Sequence, residues 1–263
     1  MKTTKRVLVT GSAGRVGRAA VRDLHARGHH VLGFDLRPTP GIPPEQSVVA
    51  TLADVAAFRS AAVGVDAIIH LAATPDDIHF PRNDRDDNFL HELVPNNVIA
   101  PYHVMEAART LGAPRVILAS TGQVIDGHLR AGNVPVTTDV LPQPRYLYAC
   151  TKVFLEALGQ VYAKEHGIAV IAVRLGWCPR DTGQVNEIAG GASFQDVYLS
   201  PGDAGRFFSA AVEADPLPPF SVLYATSLFT HQLRYDLVES KHVLNWEPRD
   251  RWPAGSTDDL NGA

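Results

Sequence analysis

A tyrosine and a lysine stand four residues apart in the stretch YLYACTK at residues 146–152. On an α-helix, residues with this spacing project from the same face, so the ammonium of Lys152 can lie beside the phenol of Tyr148. A nearby positive charge favours the phenolate and lowers the pKa of Tyr148 from about 10 toward neutrality, which would make it a general base. In an isolated helix the same spacing is typical of a half-buried tyrosine and a snorkelling lysine, so the interpretation depends on the rest of the chain.

Three glycines form a second pattern, because VLVTGSAGRVGRAAV places Gly11, Gly14 and Gly17 between a predicted strand and a predicted helix. Glycine permits a tight turn and a close approach of backbone to a ligand, and the positive end of the helix dipole attracts a pyrophosphate. The next predicted strand ends at Asp35, 18 residues beyond Gly17. A carboxylate at that place can accept hydrogen bonds from ribose hydroxyls. Together these features predict a dinucleotide site.

The charge of Asp35 also bears on which dinucleotide binds. Its carboxylate would repel a phosphate on the ribose 2′ oxygen, so NAD is favoured over NADP. Arg15 directly follows Gly14 and Arg37 lies two residues beyond Asp35, so either guanidinium could reach a 2′-phosphate. NADP therefore stays possible.

The elements that must position these residues are strands and helices in alternation. The strands are continuous apolar runs, which indicates burial on both faces and a parallel sheet between helix layers. The predicted fold is a doubly wound α/β fold of the Rossmann type. The apolar runs are RVLVT, HVLGFD, DAIIHLA, RVILAS and AVIAVRLG, and the helical patterns fall at 17–28, 54–64, 97–112 and 146–167.

Beyond about residue 176 the alternation loosens. Residues 178–195 are expected to be irregular or short helix, 201–214 a helix and 221–227 a strand. The segment is too short for an independent domain of comfortable size. The sequence therefore predicts a nucleotide-binding core over 1–176, and a small substrate-binding cap over 177–263 that is mixed with the last core elements.

Composition excludes several classes of function. The chain has 263 residues, a net charge of -4, no basic stripe and no apolar run of eighteen residues, which disfavours nucleic-acid and membrane partners. The N-terminus shows no secretory signal, so a cytoplasmic location is expected and Cys150 and Cys178 are interpreted as thiols. Eleven histidines occur without metal-ligand spacing, so no metal is predicted; His70 is interpreted as a packing residue.

Taken in order, these motifs resemble the extended short-chain dehydrogenase/reductase superfamily, that is, the NAD-dependent epimerase/dehydratase family. Within that family, the sequence most resembles the uronate dehydrogenases, which oxidise hexuronic acids at the anomeric carbon with NAD. The resemblance implies an NAD-dependent oxidoreductase with a small, sugar-like substrate and a homodimer formed through helices at 89–111 and 145–166. Besides the glycine turn, the acid and YxxxK, the matching stretches are IIHLAA at 68–73, NNVIAPYHVMEAAR at 96–109, VILAST at 116–121 and LNWEP at 244–248.

The same resemblance implies roles for individual residues. Tyr148 would be the base, Lys152 would bind the nicotinamide ribose, and Thr121, with Ser120 beside it, would bond the reacting oxygen. Asn97 would support the lysine, in relatives often through a water molecule. The implied cofactor contacts are Gly11, Ala13, Gly14, Arg15, Val16, Gly17, Asp35, Leu52, Leu71, Ala72, Tyr148 and Lys152, and the implied substrate contacts are Thr74, Thr121, Gln123 and Arg180.

Several positions depart from the family pattern. Thr51 stands where many relatives have Asp, and Gln123 stands in a TGQ stretch where uronate dehydrogenases have Asn-His. Arg180 is a candidate for holding a substrate carboxylate bidentately, or else a solvent-facing loop residue. The segment at 74–95 is longer than in relatives and is either a solvated loop or a lid that closes through Phe80, Arg82 and Arg85.

Two other functions stay open. A nucleotide-sugar epimerase or dehydratase uses the same residues but returns the hydride; about 85 residues after the last core strand leave little room for its larger C-terminal lobe. A non-catalytic NAD(P) sensor would need no depressed tyrosine pKa, so the joint presence of Tyr148, Lys152 and Thr121 counts against it.

Overall fold

The computed structural model describes residues 3–75 and 88–260. All the strand pairs in it are parallel, and the strands form one sheet. The seven strands are β1 (Arg6–Thr10), β2 (His30–Asp35), β3 (Ser47–Val49), β4 (Ala67–His70), β5 (Arg115–Thr121), β6 (Ala169–Leu175) and β7 (Phe220–Ala225). Their order across the sheet is β3-β2-β1-β4-β5-β6-β7. The predicted doubly wound parallel sheet is confirmed.

Helices cover both faces of the sheet. In chain order they are α1 (Arg15–Ala26), α2 (Val55–Ala61), α3 (Ala100–Leu111), α4 (Asp126–Arg130), α5 (Leu147–His166), α6 (Thr182–Ala189), α7 (Ala192–Gln195), α8 (Pro201–Glu213) and α9 (Val238–Leu244). Short 3₁₀ turns occupy Pro44–Gln46 and Gly122–Ile125, and π-helical turns occupy Phe89–Leu93 and Pro95–Ile99.

Two hydrophobic layers hold the sheet between the helices. Val9 and Ile69 belong to the layer that packs against α1 and α8. Leu8 and Ile68, their neighbours in sequence, belong to the layer that packs against α2, α3 and α5. Because successive side chains of a strand point to opposite faces, each central strand is buried on both sides. This is why those strands read as continuous apolar runs in the sequence.

The helix predicted over 97–112 begins later than expected. Its regular part, α3, starts at Ala100 with Pro101 in the first turn, and the preceding residues from Phe89 onward form wider π-helical turns. Proline lacks an N–H donor and is tolerated only where that donor would be unpaired. The prolines therefore explain why regular α-helix begins only there.

The C-terminal part adds the last strand and a group of short helices. β7 forms the far edge of the sheet beside β6, where a strand was predicted over 221–227. α8 is capped by Ser200, whose Oγ accepts a hydrogen bond from the Asp203 N–H at 2.9 Å, as expected for an N-cap serine. The division of the chain near residue 176 stays a prediction.

Phe80, Arg82 and Arg85 lie outside the described residues, so the choice between a lid and a solvated loop also stays a prediction. None of the described helices has the length and apolar character needed to cross a bilayer. Within residues 3–75 and 88–260, no three His, Cys, Asp or Glu side chains group together in a way that could hold a metal ion.

Candidate active site

The predicted site residues gather at the carboxyl ends of the strands. The glycine turn follows β1, the segment 71–74 follows β4, and Thr121 ends β5. Because the strand order reverses between β1 and β4, a crevice is expected there, and this is where doubly wound sheets bind their ligands.

The turn after β1 has no space for side chains at two of its glycines. Gly11 has φ +67°, and a Cβ there would lie 2.7 Å from the backbone nitrogen of Ala72. A Cβ on Gly17 would lie 2.1 Å from the carbonyl oxygen of Gly11. Only glycine allows the backbone and α1 to pack this closely. The N-terminus of α1 is thereby held next to the segment that follows β4, as a pyrophosphate site requires.

Asp35, at the end of β2, is hydrogen-bonded to the glycine turn. Its Oδ2 accepts a hydrogen bond from the Ala13 N–H at 3.0 Å, and its Oδ1 accepts one from the Arg37 N–H at 3.2 Å. The carboxylate is half-buried beside the turn. A negative charge in this position suits ribose hydroxyls and opposes a 2′-phosphate.

The guanidinium of Arg15 points to the C-terminal segment of the chain. It is buried and donates hydrogen bonds to the carbonyl oxygens of Pro179, Gly255 (2.7 Å) and Ser256 (2.8 Å). A cofactor contact from Arg15 would therefore come from its backbone at the start of α1. Arg37 has an exposed side chain at the end of β2.

Four of the apolar residues predicted to touch the cofactor, Val16, Leu52, Leu71 and Ala72, are half-buried, whereas Ala13 is 3% exposed. Val16 and Leu71 pack at the edge of the α1 layer and Leu52 packs at the edge of the other. The Ala72 N–H donates to Thr10 Oγ1 at 3.3 Å. These positions are therefore expected to lie on the two sides of the crevice beside the glycine turn.

Tyr148 and Lys152 lie together in the first turns of α5. Lys152 is 4% exposed, and its Nζ is 5.5 Å from the centre of the Tyr148 ring. Burial lowers the pKa of Lys152 to about 8, because a charged amine is poorly solvated in the interior. Tyr148 is half-buried. The structure thus brings an ammonium and a phenol together on one helix face, as the spacing predicts.

His70 lies beside this pair at the end of β4. It is 2% exposed, and its Nδ1 is 2.8 Å from Thr10 Oγ1. Burial, and after it the charge of Lys152, lowers the pKa of His70 to about 3. The imidazole is therefore neutral at physiological pH, which suits a packing residue next to a lysine.

Asn97 fastens the segment that follows β4. Its Oδ1 accepts from the Thr74 N–H at 2.8 Å and its Nδ2 donates to the Thr74 carbonyl oxygen at 2.9 Å. Asn96 donates to the Thr74 hydroxyl at 2.9 Å. Asn97 is 1% exposed, and its support of Lys152 stays a prediction.

Two adjacent hydroxyls at the end of β5 have different surroundings. Ser120 is 2% exposed and donates to Glu156 Oε1 at 2.6 Å. Thr121 is half-buried, and its Oγ1 accepts from the Gln123 N–H at 3.3 Å. Because the Ser120 hydroxyl is already engaged beneath α5, Thr121 is the better candidate for a contact with a reacting oxygen.

Two predicted substrate contacts lie on different parts of the site. Gln123 lies two residues beyond Thr121, and its Oε1 is buried without a hydrogen-bond partner among the described residues. Arg180 is exposed in the loop before α6, where its backbone N–H donates to Gln184 Oε1 at 2.9 Å. The hydrogen bond between the Gln123 N–H and Thr121 Oγ1 keeps these two residues together, whereas Arg180 lies at the surface.

Sequence reasoning missed a buried charge pair beneath the reacting residues. Arg174 and Glu156 form a bidentate ion pair, with both bonds at 3.0 Å. One signal could have found it, because Glu156 continues the four-residue spacing of Tyr148 and Lys152. No local pattern indicated the contact between Arg15 and the C-terminal segment.

Comparison with known proteins agrees with this geometry. Residues 7–177 match the model of the NAD dependent epimerase/dehydratase family. The L-arabinose 1-dehydrogenase (NAD(P)(+)) of Haloferax volcanii is 32% identical, with 93% of this chain and 96% of that protein covered. The uronate dehydrogenase of Agrobacterium fabrum is 31% identical over 66% of this chain and 62% of its own length. A crystal structure of a uronate dehydrogenase mutant from Agrobacterium tumefaciens complexed with NAD superposes with a TM-score of 0.74 and 25% identity, and covers 94% of this chain and 86% of that one.

Proposed function

This chain belongs to the NAD dependent epimerase/dehydratase family, and we propose that it is an NAD-dependent dehydrogenase that oxidises a sugar at its anomeric carbon. The relatives named above are an arabinose 1-dehydrogenase and uronate dehydrogenases, which supports a polar sugar with a free anomeric hydroxyl as the substrate. The observation that carries the proposal is the buried Lys152 ammonium beside Tyr148 at the edge of the crevice.

The residues of the crevice fit an NAD molecule. The glycine turn leaves backbone where a Cβ would fill the space, and Asp35 places a carboxylate beside that turn. When bound, NAD⁺ supplies the hydride acceptor. The proposed contacts to it come from the glycine turn, from Asp35, from the half-buried apolar side chains at the rims and from Lys152. The carboxylate of Asp35 supports NAD as the preferred cofactor, and NADP as the weaker one.

Proton transfer is assigned to Tyr148. Its phenolate oxygen takes the proton of the anomeric hydroxyl as the C–H bond at that carbon is broken, and the sugar leaves as the lactone. The Lys152 ammonium, held nearby, favours the phenolate form. The Thr121 hydroxyl donates a hydrogen bond to the reacting oxygen and so aligns it.

Recognition of the sugar is assigned to the end of β5 and to the segment after β4. The unpaired Gln123 Oε1 is an acceptor for a sugar hydroxyl, since a buried acceptor without a partner costs free energy until it is paired. Thr74, held by Asn97, supplies a second polar contact. Arg180 is the proposed contact for a carboxylate, should the substrate be a uronate.

A panel of sugars tests the proposal. Purified protein is mixed with NAD⁺ or NADP⁺ and with L-arabinose, other aldoses, glucose 6-phosphate, galacturonate or glucuronate, and the nicotinamide absorbance is followed. We expect NAD⁺ to be reduced with at least one aldose or uronate, and more efficiently than NADP⁺. Cofactor binding without reduction by any sugar would contradict the proposal and favour a sensor. Interconversion of UDP-sugars without net reduction would favour an epimerase.

A homodimer is also proposed. Leu147, Phe154 and Val161 are exposed and follow one another at seven-residue spacing on α5, and Ile99 and Tyr102 are exposed at the start of α3. Apolar side chains at this spacing form a stripe on one helix face, and two copies could bury the stripes in a four-helix bundle. Sedimentation at several protein concentrations should give twice the monomer mass.

The proposed location is the cytoplasm. Cys150 and Cys178 are free thiols, as is usual in a reducing compartment. Burial raises the pKa of Cys178 to about 11, so that thiol stays protonated and unreactive at neutral pH.

A further inference from the structure

Three polar residues line up across neighbouring strands directly beneath the reacting residues. Ser120 on β5 is in register with Arg174 on β6, and Arg174 is in register with Tyr224 on β7. All three are at most 2% exposed. In a parallel sheet, residues in register point to the same face, and here that face is covered by α5. A polar row within an otherwise apolar layer needs a partner from the helix above it.

Glu156 of α5 is that partner. Its Oε1 accepts from Arg174 Nε at 3.0 Å and from Ser120 Oγ at 2.6 Å, and its Oε2 accepts from Arg174 Nη2 at 3.0 Å. At the far end Arg174 Nη1 donates to Tyr224 Oη at 3.2 Å, and Tyr224 Oη donates to the Thr137 carbonyl oxygen at 3.1 Å. The carboxylate thus ties α5 to two strands through charge-assisted hydrogen bonds, which are among the strongest that side chains make.

Both residues of the Glu156–Ser120 hydrogen bond lie next to residues of the proposed reaction. Glu156 lies one turn beyond Lys152 and two turns beyond Tyr148 on the same helix face. Ser120 directly precedes Thr121. Fixing Ser120 to Glu156 therefore fixes the strand end that carries Thr121 relative to the helix that carries Tyr148.

Stability alone is a poor explanation for the pair. Burying two charges costs about as much solvation free energy as their attraction returns, and apolar replacements of buried ion pairs are often neutral or stabilising. What an ion pair with fixed bidentate geometry adds is a defined distance and orientation between the elements it joins.

We propose that Glu156, held by Arg174, is a positioning residue that sets the separation between Thr121 and Tyr148 through its hydrogen bond with Ser120. The inference rests on the proposed function, since it assigns Thr121 and Tyr148 to one reacting oxygen. Glu156 itself does not touch the substrate. It acts through the strand end and the helix that it joins.

The test uses Ser120→Ala, which removes one hydrogen bond and keeps the buried ion pair, so that the protein still folds. Ser209→Ala is the matched control, because the Ser209 hydroxyl is also fully buried but has no hydrogen-bond partner among the described residues. We expect Ser120→Ala to lower kcat about tenfold, as a small misplacement of reacting groups does, with an unchanged KM for NAD. Ser209→Ala should leave both constants at the wild-type value.

Amide hydrogen exchange gives a second measurement that does not depend on turnover. In Ser120→Ala, the amides of residues 119–123 should exchange faster than in the wild type, whereas Ser209→Ala should not change them. A wild-type kcat together with unchanged exchange at the end of β5 would overturn the inference and leave the proposed function intact. A wild-type protein inactive on every sugar would contradict the proposed function, and the exchange experiment would still decide whether the tie holds β5 to α5.

Discussion

The nucleotide-binding turn and the reacting residues lie at the same edge of the sheet but are positioned by different means. In the turn, backbone geometry sets the positions of the residues: a Cβ on Gly17 would lie 2.1 Å from a backbone oxygen, and the Asp35 carboxylate accepts a hydrogen bond from a backbone N–H. At the reacting residues, buried side chains set the geometry: Lys152 is 4% exposed beside Tyr148, and Glu156 is 7% exposed one helical turn further along.

This difference predicts how each region responds to mutation. In the glycine turn, where backbone atoms set the geometry, a substitution that adds side-chain atoms should lower the affinity for the cofactor. At the reacting residues, where buried charges set the geometry, removal of a charge should lower turnover. It also removes the cost of desolvating that charge and can therefore stabilise the fold. The two regions should therefore separate in kinetic and in unfolding experiments.

The largest effect is expected at Lys152. Lys152→Met keeps most of the side-chain volume and removes the ammonium that favours the phenolate of Tyr148. Because general-base catalysis contributes about 10²–10⁴-fold, we expect kcat to fall by about 10²-fold or more at saturating NAD and sugar. Steady-state kinetics measures it, and a kcat within about twofold of the wild type would remove Lys152 from the proposed mechanism.

The same variant should be more stable than the wild type at pH 7. The pKa of Lys152 is lowered by burial from 10.5 to about 8. Below pH 8 the lysine is therefore charged in both the folded and the unfolded state. Its burial then costs about 3 kcal/mol of folding free energy, at about 1.36 kcal/mol per pKa unit. That cost fades as pH rises from 8 to 10.5, because the folded state loses its proton first. Urea unfolding of Lys152→Met should show an advantage that shrinks over this range; a variant less stable at pH 7 would contradict it.

A smaller effect on activity is expected at Gly17. Gly17→Ala forces the turn away from α1, because the contact is with backbone. Overpacking of this kind costs about 1–3 kcal/mol, so we expect the Kd for NAD to rise about tenfold or more while kcat at saturating NAD stays close to the wild type. Gly190→Ala is the control, since its added Cβ would meet its neighbours at 3.5 Å, an ordinary contact. Equal NAD affinity in both variants would remove the steric argument.

The features that the sequence predicted correctly are local ones. The glycine turn, Asp35 and the Tyr148–Lys152 pair depend on spacing within one turn, one βαβ unit or one helix, so local patterns indicated them. The parallel sheet followed from the continuous apolar strands for the same reason.

Contacts between distant parts of the chain could not be predicted in this way. Arg15 bonds to the carbonyl oxygen of Ser256, 241 residues away, and no spacing rule relates the two. The same holds for the hydrogen bonds between Asn97 and Thr74, because the path of the chain after β4 decides which groups meet. The short β3 was also missed, since three half-buried or exposed residues give no periodic signal.

Tyr148 is the proposed proton acceptor in NAD-dependent oxidation of a sugar. Tyr148→Phe removes one hydroxyl and keeps the ring, so turnover of the best sugar from the panel and NAD binding by calorimetry should be measured on the same preparation. We expect turnover to be lost and the NAD affinity to stay unchanged. Turnover close to that of the wild type would contradict it.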